Sequence, residues 1–120
     1  MRDPVFETEE LAPSSCRVRF RAAADLDWFR GHFDGLPVLP GSAQIYFVTL
    51  ALGKISGAAG RSFRIAGFSQ VKFTFPMTVG DEAELSVRVD GGGERLDFVI
   101  RSPGGTVFSE GHASLSWSAS

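Results

Sequence analysis

Reactive side chains are scarce in this sequence. Its 120 residues include two histidines, one cysteine and one tyrosine, against 11 phenylalanines and 14 glycines. His32 lies in the most distinctive segment, residues 28–44, where two prolines and three glycines restrict the backbone. Loops held this firmly often carry binding and catalytic residues, so any chemistry is expected here.

The loop leads into a predicted helix that begins at Gly41, directly after Pro40. A histidine with the ordinary pKa of about 6.5 can accept a proton near neutral pH, so His32 is a candidate general base. The free N–H groups at the helix start, on Gly41 and Ser42, can stabilise a carbonyl oxygen that becomes negative during a reaction. The segment therefore predicts a base beside an oxyanion site.

Other polar residues have structural interpretations. Asp34 precedes a glycine, a pair typical of turns, and Ser42 lacks a His-Asp partner set and is interpreted as a helix cap. His112 alternates with apolar neighbours in a predicted strand and is interpreted as a surface or edge residue. Cys16 cannot form an internal disulfide, and the histidines lack the spacing of a zinc site, so neither a metal nor a cofactor is expected.

The elements that position the loop follow from hydrophobic periodicity. Alternation with a period of two residues predicts strands at about Cys16–Ala22, Val71–Phe75, Ala83–Asp90, Leu96–Arg101 and Thr106–Trp117. One long helix is predicted over about Gly41–Ile55, ending near Gly53 and Gly57. Because this helix has almost no charged face, we expect an antiparallel sheet to wrap around it, which is an α+β architecture.

Length and composition set the remaining expectations. They fit a single domain over residues 1–120, with 1–13 loosely held and a short helical turn at about Asp25–Arg30. The 12 basic and 14 acidic residues form no patch for nucleic acid. No apolar run approaches the ~20 residues of a membrane span and the acidic start is unlike a signal peptide, so a cytoplasmic location is expected. Open sheet edges favour a dimer.

Two segments resemble a known family. One reads His32-Phe33-x-Gly35-x-Pro37-Val38-x-Pro40-Gly41 and is similar to the G-H-F-P-G-x-P-I/V-x-P-G signature of bacterial 3-hydroxyacyl-acyl carrier protein dehydratases of the hotdog fold. The other, Gly67 to Asp81, resembles the family's strand that ends in Pro-x-x-x-Gly-Asp. Within the family, LPVLPGSAQI at residues 36–45 looks closest to the dehydratase-like proteins of aryl polyene biosynthesis clusters.

This resemblance implies a hotdog fold and dehydration of a 3-hydroxyacyl thioester on acyl carrier protein to the trans-2-enoyl thioester, in fatty acid or polyene-type biosynthesis. In the family the loop histidine, here His32, is the base at C2. A helix Glu or Asp five positions after the Pro-Gly glycine acts on the departing C3 hydroxyl, from the opposite subunit of a dimer. Here that position holds Tyr46, which departs from the family pattern.

Three interpretations of Tyr46 stay open. It can be a replacement acid, although its ordinary pKa of about 10 makes it a much weaker acid than a carboxyl group. It can be a pocket wall in a subunit whose acid comes from a different hotdog chain. It can also mark an impaired acyl-binding subunit or a relative of the hotdog thioesterases.

The assignments for the other site residues follow the same resemblance. The Gly41 N–H is expected to polarise the thioester carbonyl and Tyr46 to act on the leaving-group side. The candidate substrate-binding residues are mostly apolar: Phe33, Leu39, Pro40, Ser42, Phe73 and Phe75. The expected ligand is an acyl thioester on acyl carrier protein or CoA, and the expected partner is a second copy or a different hotdog chain.

Overall fold

One helix packs against a six-stranded antiparallel sheet with the strand order β1-β2-β4-β5-β6-β3. The structure is a computed structural model that describes residues 3–23 and 38–119. The elements are β1 (Glu7–Ala12), β2 (Ser15–Arg21), α1 (Gly41–Ala59), β3 (Arg61–Phe73), β4 (Glu82–Val89), β5 (Arg95–Arg101) and β6 (Val107–Ala119). This confirms the predicted α+β architecture. The helical turn predicted at Asp25–Arg30 lies outside the described residues.

The N-terminal segment corrects one expectation, because Glu7–Ala12 forms strand β1 and is not loosely held. Its sequence is acidic and mostly exposed, so it lacks the alternation that identifies a strand. The ladder with β2 holds it in place, together with the ring of Phe6, whose centroid lies 5.7 Å from that of Phe20. Tertiary packing therefore overrides a weak local preference.

Helix α1 is longer than predicted and runs through both of its interior glycines to Ala59. It ends at Gly60, whose φ of 67° is the left-handed conformation typical of a helix C-cap. Gly53 and Gly57 are exposed, while Leu52 and Ile55 are buried against the sheet. Burial of these side chains outweighs the cost of about 1 kcal/mol for each helical glycine. No helix in the described ranges is long and apolar enough to cross a membrane.

Strand β3 differs most from the prediction, which placed only Val71–Phe75 in a strand. It spans 13 residues, starts directly after α1 and pairs with β6 at one edge of the sheet. Its burial pattern lacks a clean period of two, because the register against β6 shifts twice and Gln70 has a φ of 51°. Bulges of this kind hide a strand from periodicity analysis. Phe75 lies beyond its end.

His112 lies on the solvent side of β6, an interior strand, so it is a surface residue but not an edge residue. Its Nδ1 is 2.6 Å from Oδ1 of Asp97, to which Arg95 Nε also donates at 3.0 Å. Partial desolvation alone would raise the pKa of Asp97, but the hydrogen bonds from Arg95 and His112 outweigh it and lower that pKa. This cluster explains His112 without a catalytic role.

We expect Gly111→Ala to destabilise the protein by about 1–3 kcal/mol. A Cβ on Gly111 would lie 2.9 Å from Cα of Val71, where the irregular part of β3 crosses β6, and a backbone atom cannot move without shifting that strand. Gly67→Ala in β3 is the matched control, because nothing lies within 4 Å of its added Cβ. Denaturant unfolding compares the variants, and equal stability would contradict the close β3–β6 packing.

Candidate active site

A groove opens where the start of α1 meets the end of β3. The segment before the helix is held in place by the Leu39 N–H, which donates to Met77 O at 2.7 Å, and by a bridge between Val38 and Thr78. The groove has a volume of about 230 Å³. Its lining is mostly apolar: Val38, Leu39, Pro40, Gly41, Gln44, Phe73, Thr74, Phe75 and Pro76. The structure thus brings five predicted site residues together.

The helix start offers free backbone donors to this groove. Pro40 is the N-cap, and its carbonyl accepts from the N–H groups of Ala43 at 3.0 Å and Gln44 at 3.2 Å. In the described residues no acceptor reaches the N–H of Gly41 or Ser42, as expected for the first helical positions. The prediction that Ser42 caps the helix is wrong, since no side chain caps it; Ser42 is exposed and does not line the groove.

Phe73 and Phe75 form an exposed apolar wall beside these donors. Their side chains are 53% and 55% exposed. The Phe73 ring lies directly over Gly41, where a Cβ would come within 2.6 Å of its Cζ atom. The absence of a side chain on Gly41 therefore lets an aromatic ring approach the helix backbone. Such a surface suits a partly apolar ligand that also presents a hydrogen-bond acceptor.

Gln44 was not predicted as a site residue. It lines the groove with a polar side chain, and only 3% of the residue's surface is exposed. Its Nε2 lies 3.4 Å from Leu39 O, while Oε1 has no donor among the described residues. An unpaired buried carbonyl costs about 1–3 kcal/mol. The signal was present in the sequence as a lone amide three residues after Gly41 in an otherwise apolar helix segment.

Tyr46 does not line the groove. Tyr46 follows Gly41 by five residues, which rotates it roughly 140° around the helix axis. Gln44 follows Gly41 by three residues and is rotated by only roughly 60°. The Tyr46 hydroxyl donates to Oδ1 of Asp3 at 3.0 Å. That hydrogen bond, partial desolvation and the Asp3 charge raise the pKa of Tyr46. Within one chain, the hydroxyl is thus a weaker acid than usual and is directed away from the Gly41 donors.

Comparison with known proteins identifies the family. The model of the ApeI-like dehydratases, described as ApeI dehydratase, matches residues 8–112. The chain belongs to the ApeI-like dehydratase family. This confirms the resemblance of the loop and strand motifs to the hotdog dehydratases and, among these, to the ApeI-like proteins.

Relatives of this ApeI-like chain include the 3-hydroxyacyl-acyl-carrier-protein dehydratase FabZ. The Haemophilus influenzae protein is 35% identical over 66 residues, which cover 51% of this chain and 45% of that protein. The Oenococcus oeni protein is 35% identical over 68 residues, covering 53% and 49%. The match thus spans about half the length of these curated relatives.

Solved structures confirm the hotdog fold of this ApeI-like protein. A chain of the dehydratase heterocomplex ApeI:P from Xenorhabdus doucetiae superposes with a TM-score of 0.83 at 29% identity, covering 95% of this chain and 98% of that one. A hypothetical thioesterase with coenzyme A from Streptococcus pneumoniae superposes with a TM-score of 0.78 at 12% identity, covering 96% and 87%. At that identity the second likeness shows the fold alone.

Two predicted site residues, His32 and Phe33, lie outside the described residues, as does Asp34. Their roles stay predictions. Within residues 3–23 and 38–119, no group of three or more His, Cys, Asp or Glu side chains is placed to hold a metal ion. The described part of the candidate site therefore consists of free N–H groups at the helix start, a buried amide and an apolar wall.

We expect Gly41→Ala to leave the fold intact and to weaken binding of an acyl-pantetheine thioester by about tenfold or more, which corresponds to at least ~1.4 kcal/mol. The added methyl group must displace the exposed ring of Phe73 from the groove. Gly53→Ala is the matched control in the same helix, because nothing lies within 4 Å of its added Cβ. Calorimetric titration measures binding, and equal affinity of both variants would contradict the groove.

Proposed function

We propose that this chain takes part in the dehydration of 3-hydroxyacyl thioesters on acyl carrier protein to trans-2-enoyl thioesters, in the cytoplasm, in fatty acid or polyene-type biosynthesis. The observation that carries the proposal is the pair of free N–H groups on Gly41 and Ser42 beside an apolar groove, in a chain of the ApeI-like family. The FabZ relatives support the substrate class, since they are 3-hydroxyacyl-acyl-carrier-protein dehydratases.

The reaction requires a base, an acid and a stabilised oxyanion. The Gly41 N–H polarises the thioester carbonyl, which makes the C2 proton more acidic because negative charge moves onto the oxygen. His32 takes that proton, and the electron pair left on C2 forms the C2–C3 double bond. The C3–O bond breaks, and the departing hydroxide receives a proton from the acid and leaves as water. Phe73 and Phe75 hold the acyl chain beside the helix start.

The identity of the acid distinguishes two forms of the proposal. Tyr46 occupies the family's acidic position, but its raised pKa and its bond to Asp3 oppose proton donation. A carboxyl group supplied by a different hotdog chain avoids both difficulties. Strand β3 leaves a 13-residue backbone edge available for such a chain. The similar ApeI:P structure is itself a dehydratase heterocomplex, which supports a heterodimer over a homodimer.

We expect His32→Ala to abolish enoyl thioester formation from a 3-hydroxyacyl-pantetheine substrate, because general base catalysis contributes about 10²–10⁴-fold. Tyr46→Phe is expected to lower the rate only if the tyrosine is the acid. Absorbance of the enoyl thioester measures both, with thermal unfolding as the control for folding. Unchanged activity of His32→Ala would reject the mechanism. Release of free thiol without enoyl product would instead indicate thioester hydrolysis.

We also expect the purified chain to be nearly inactive alone and to form a stable complex with a hotdog homologue that retains the helix glutamate. Adding the homologue should raise the dehydration rate by about 10²-fold or more, as expected for a supplied general acid. The matched control is the same homologue with its helix glutamate changed to glutamine. Full activity of this chain as a homodimer, lost on Tyr46→Phe, would assign the acid to Tyr46.

A further inference from the structure

The buried amide of Gln44 suggests how the groove distinguishes its substrate. We propose that Gln44 Oε1 accepts a hydrogen bond from the 3-hydroxyl group of the bound acyl chain and so makes the groove selective for hydroxylated thioesters. This inference rests on the proposed function and deepens it. Gln44 lines the groove, is 3% exposed, and has an amide oxygen with no donor among the described residues.

The orientation of the amide is set by its neighbour. Gln44 Nε2 lies 3.4 Å from the carbonyl oxygen of Leu39, close enough for a weak hydrogen bond. Rotating the amide by 180° would place Oε1 against that carbonyl oxygen, and two acceptors repel each other. The Gln44 side chain lines the groove, and the atom of its amide left without a partner is therefore a buried acceptor and not a donor. A ligand atom that carries a hydrogen would supply the missing partner.

Of the groups on a 3-hydroxyacyl thioester, the hydroxyl is placed to supply that hydrogen. Gln44 lies three residues after Gly41, which is about 4.5 Å along the helix axis and on nearly the same side. With the thioester carbonyl at the Gly41 N–H, the hydroxyl on C3 is two carbons farther along the chain and falls within this span. Donation to Gln44 would turn a lone pair of the hydroxyl oxygen toward the group that protonates it.

The same contact would separate substrate from product. The enoyl thioester has no hydroxyl, so its formation removes the donor and leaves Oε1 unpaired again. Binding therefore favours the substrate over the product, which assists product release. A saturated acyl thioester is expected to bind more weakly for the same reason. It has no 3-hydroxyl, so the hydrogen bond to Oε1 cannot form.

The test compares binding of two pantetheine amides of equal chain length, one with a 3-hydroxyl and one without. The amides replace the thioester so that no turnover occurs. We expect the parent protein to bind the hydroxylated ligand about tenfold more tightly, and Gln44→Met to bind both equally. Methionine fills nearly the same volume but is only a weak acceptor. Calorimetric titration gives both dissociation constants.

Ser109→Ala is the matched control. Ser109 Oγ is the second buried oxygen without a partner in the described ranges, and Ser109 does not line the groove. Each variant removes one unpaired oxygen, and Gln44→Met also loses the weak bond from Nε2 to Leu39 O, so thermal unfolding should show both to be close in stability to the parent protein. The Ser109→Ala variant should keep the tenfold preference, which separates loss of the amide from a general effect on the core.

Three outcomes would overturn the assignment. If Gln44→Met still prefers the hydroxylated ligand, another group binds the hydroxyl. If Gln44→Met loses affinity equally for both ligands, the group that donates to Oε1 belongs to the pantetheine arm and not to the acyl chain. If the parent protein binds both ligands equally, the 3-hydroxyl makes no selective contact with the groove. If the preference is found but no enoyl thioester forms with any partner, the proposed function fails while the role of Gln44 stands.

Discussion

Helix α1 has almost no polar side to present to water, and the rest of the structure depends on this constraint. Phe47, Val48, Ala51 and Ile55 are each fully buried, and Lys54 is the one charged side chain of the helix. A helix of this kind is stable only when protein covers most of its surface. Strands β1 to β4 all contact it, and the sheet must curve to do so. The sheet covers the middle of the helix, and the first helical turn lies beside the end of β3, where Gly41 lines the groove.

Several groups near the start of α1 are not in their most stable arrangement. The helix has no side-chain cap, the amide oxygen of Gln44 is unpaired, and Phe73 is exposed over Gly41. Each feature carries an energetic cost that a purely structural residue could avoid, and such costs concentrate at functional sites. By contrast, Tyr46 is satisfied by Asp3. The described part of the candidate site thus combines free donors and an unpaired acceptor with a tyrosine that is already hydrogen-bonded.

The sequence predicted the elements whose residues alternate regularly. Strands β2, β4 and β5 were located to within about a residue, because each buries every second side chain. Strand β1 was missed because charged residues occupy both faces, and most of β3 because its bulges interrupt the alternation. Leu39, Pro40 and Gly41 were proposed from the loop, and Phe73 and Phe75 as apolar candidates for an acyl-binding wall; the structure places all five at one groove. Gln44 stands out in the sequence as a lone amide in an apolar segment, but its burial and its unpaired oxygen depend on the fold.

The two edges of the sheet differ in a way that limits how far assembly can proceed. The β1 edge carries Glu7, Glu9 and Glu10, and two of these already pair with Arg17 and Arg19 of β2. The β3 edge is long and bends at Gln70, where the backbone enters the left-handed region. A charged edge discourages strand addition, while a long edge accepts it. Pairing through the β3 edge alone would close after one step, whereas pairing through both edges would allow the open-ended stacking that produces fibres.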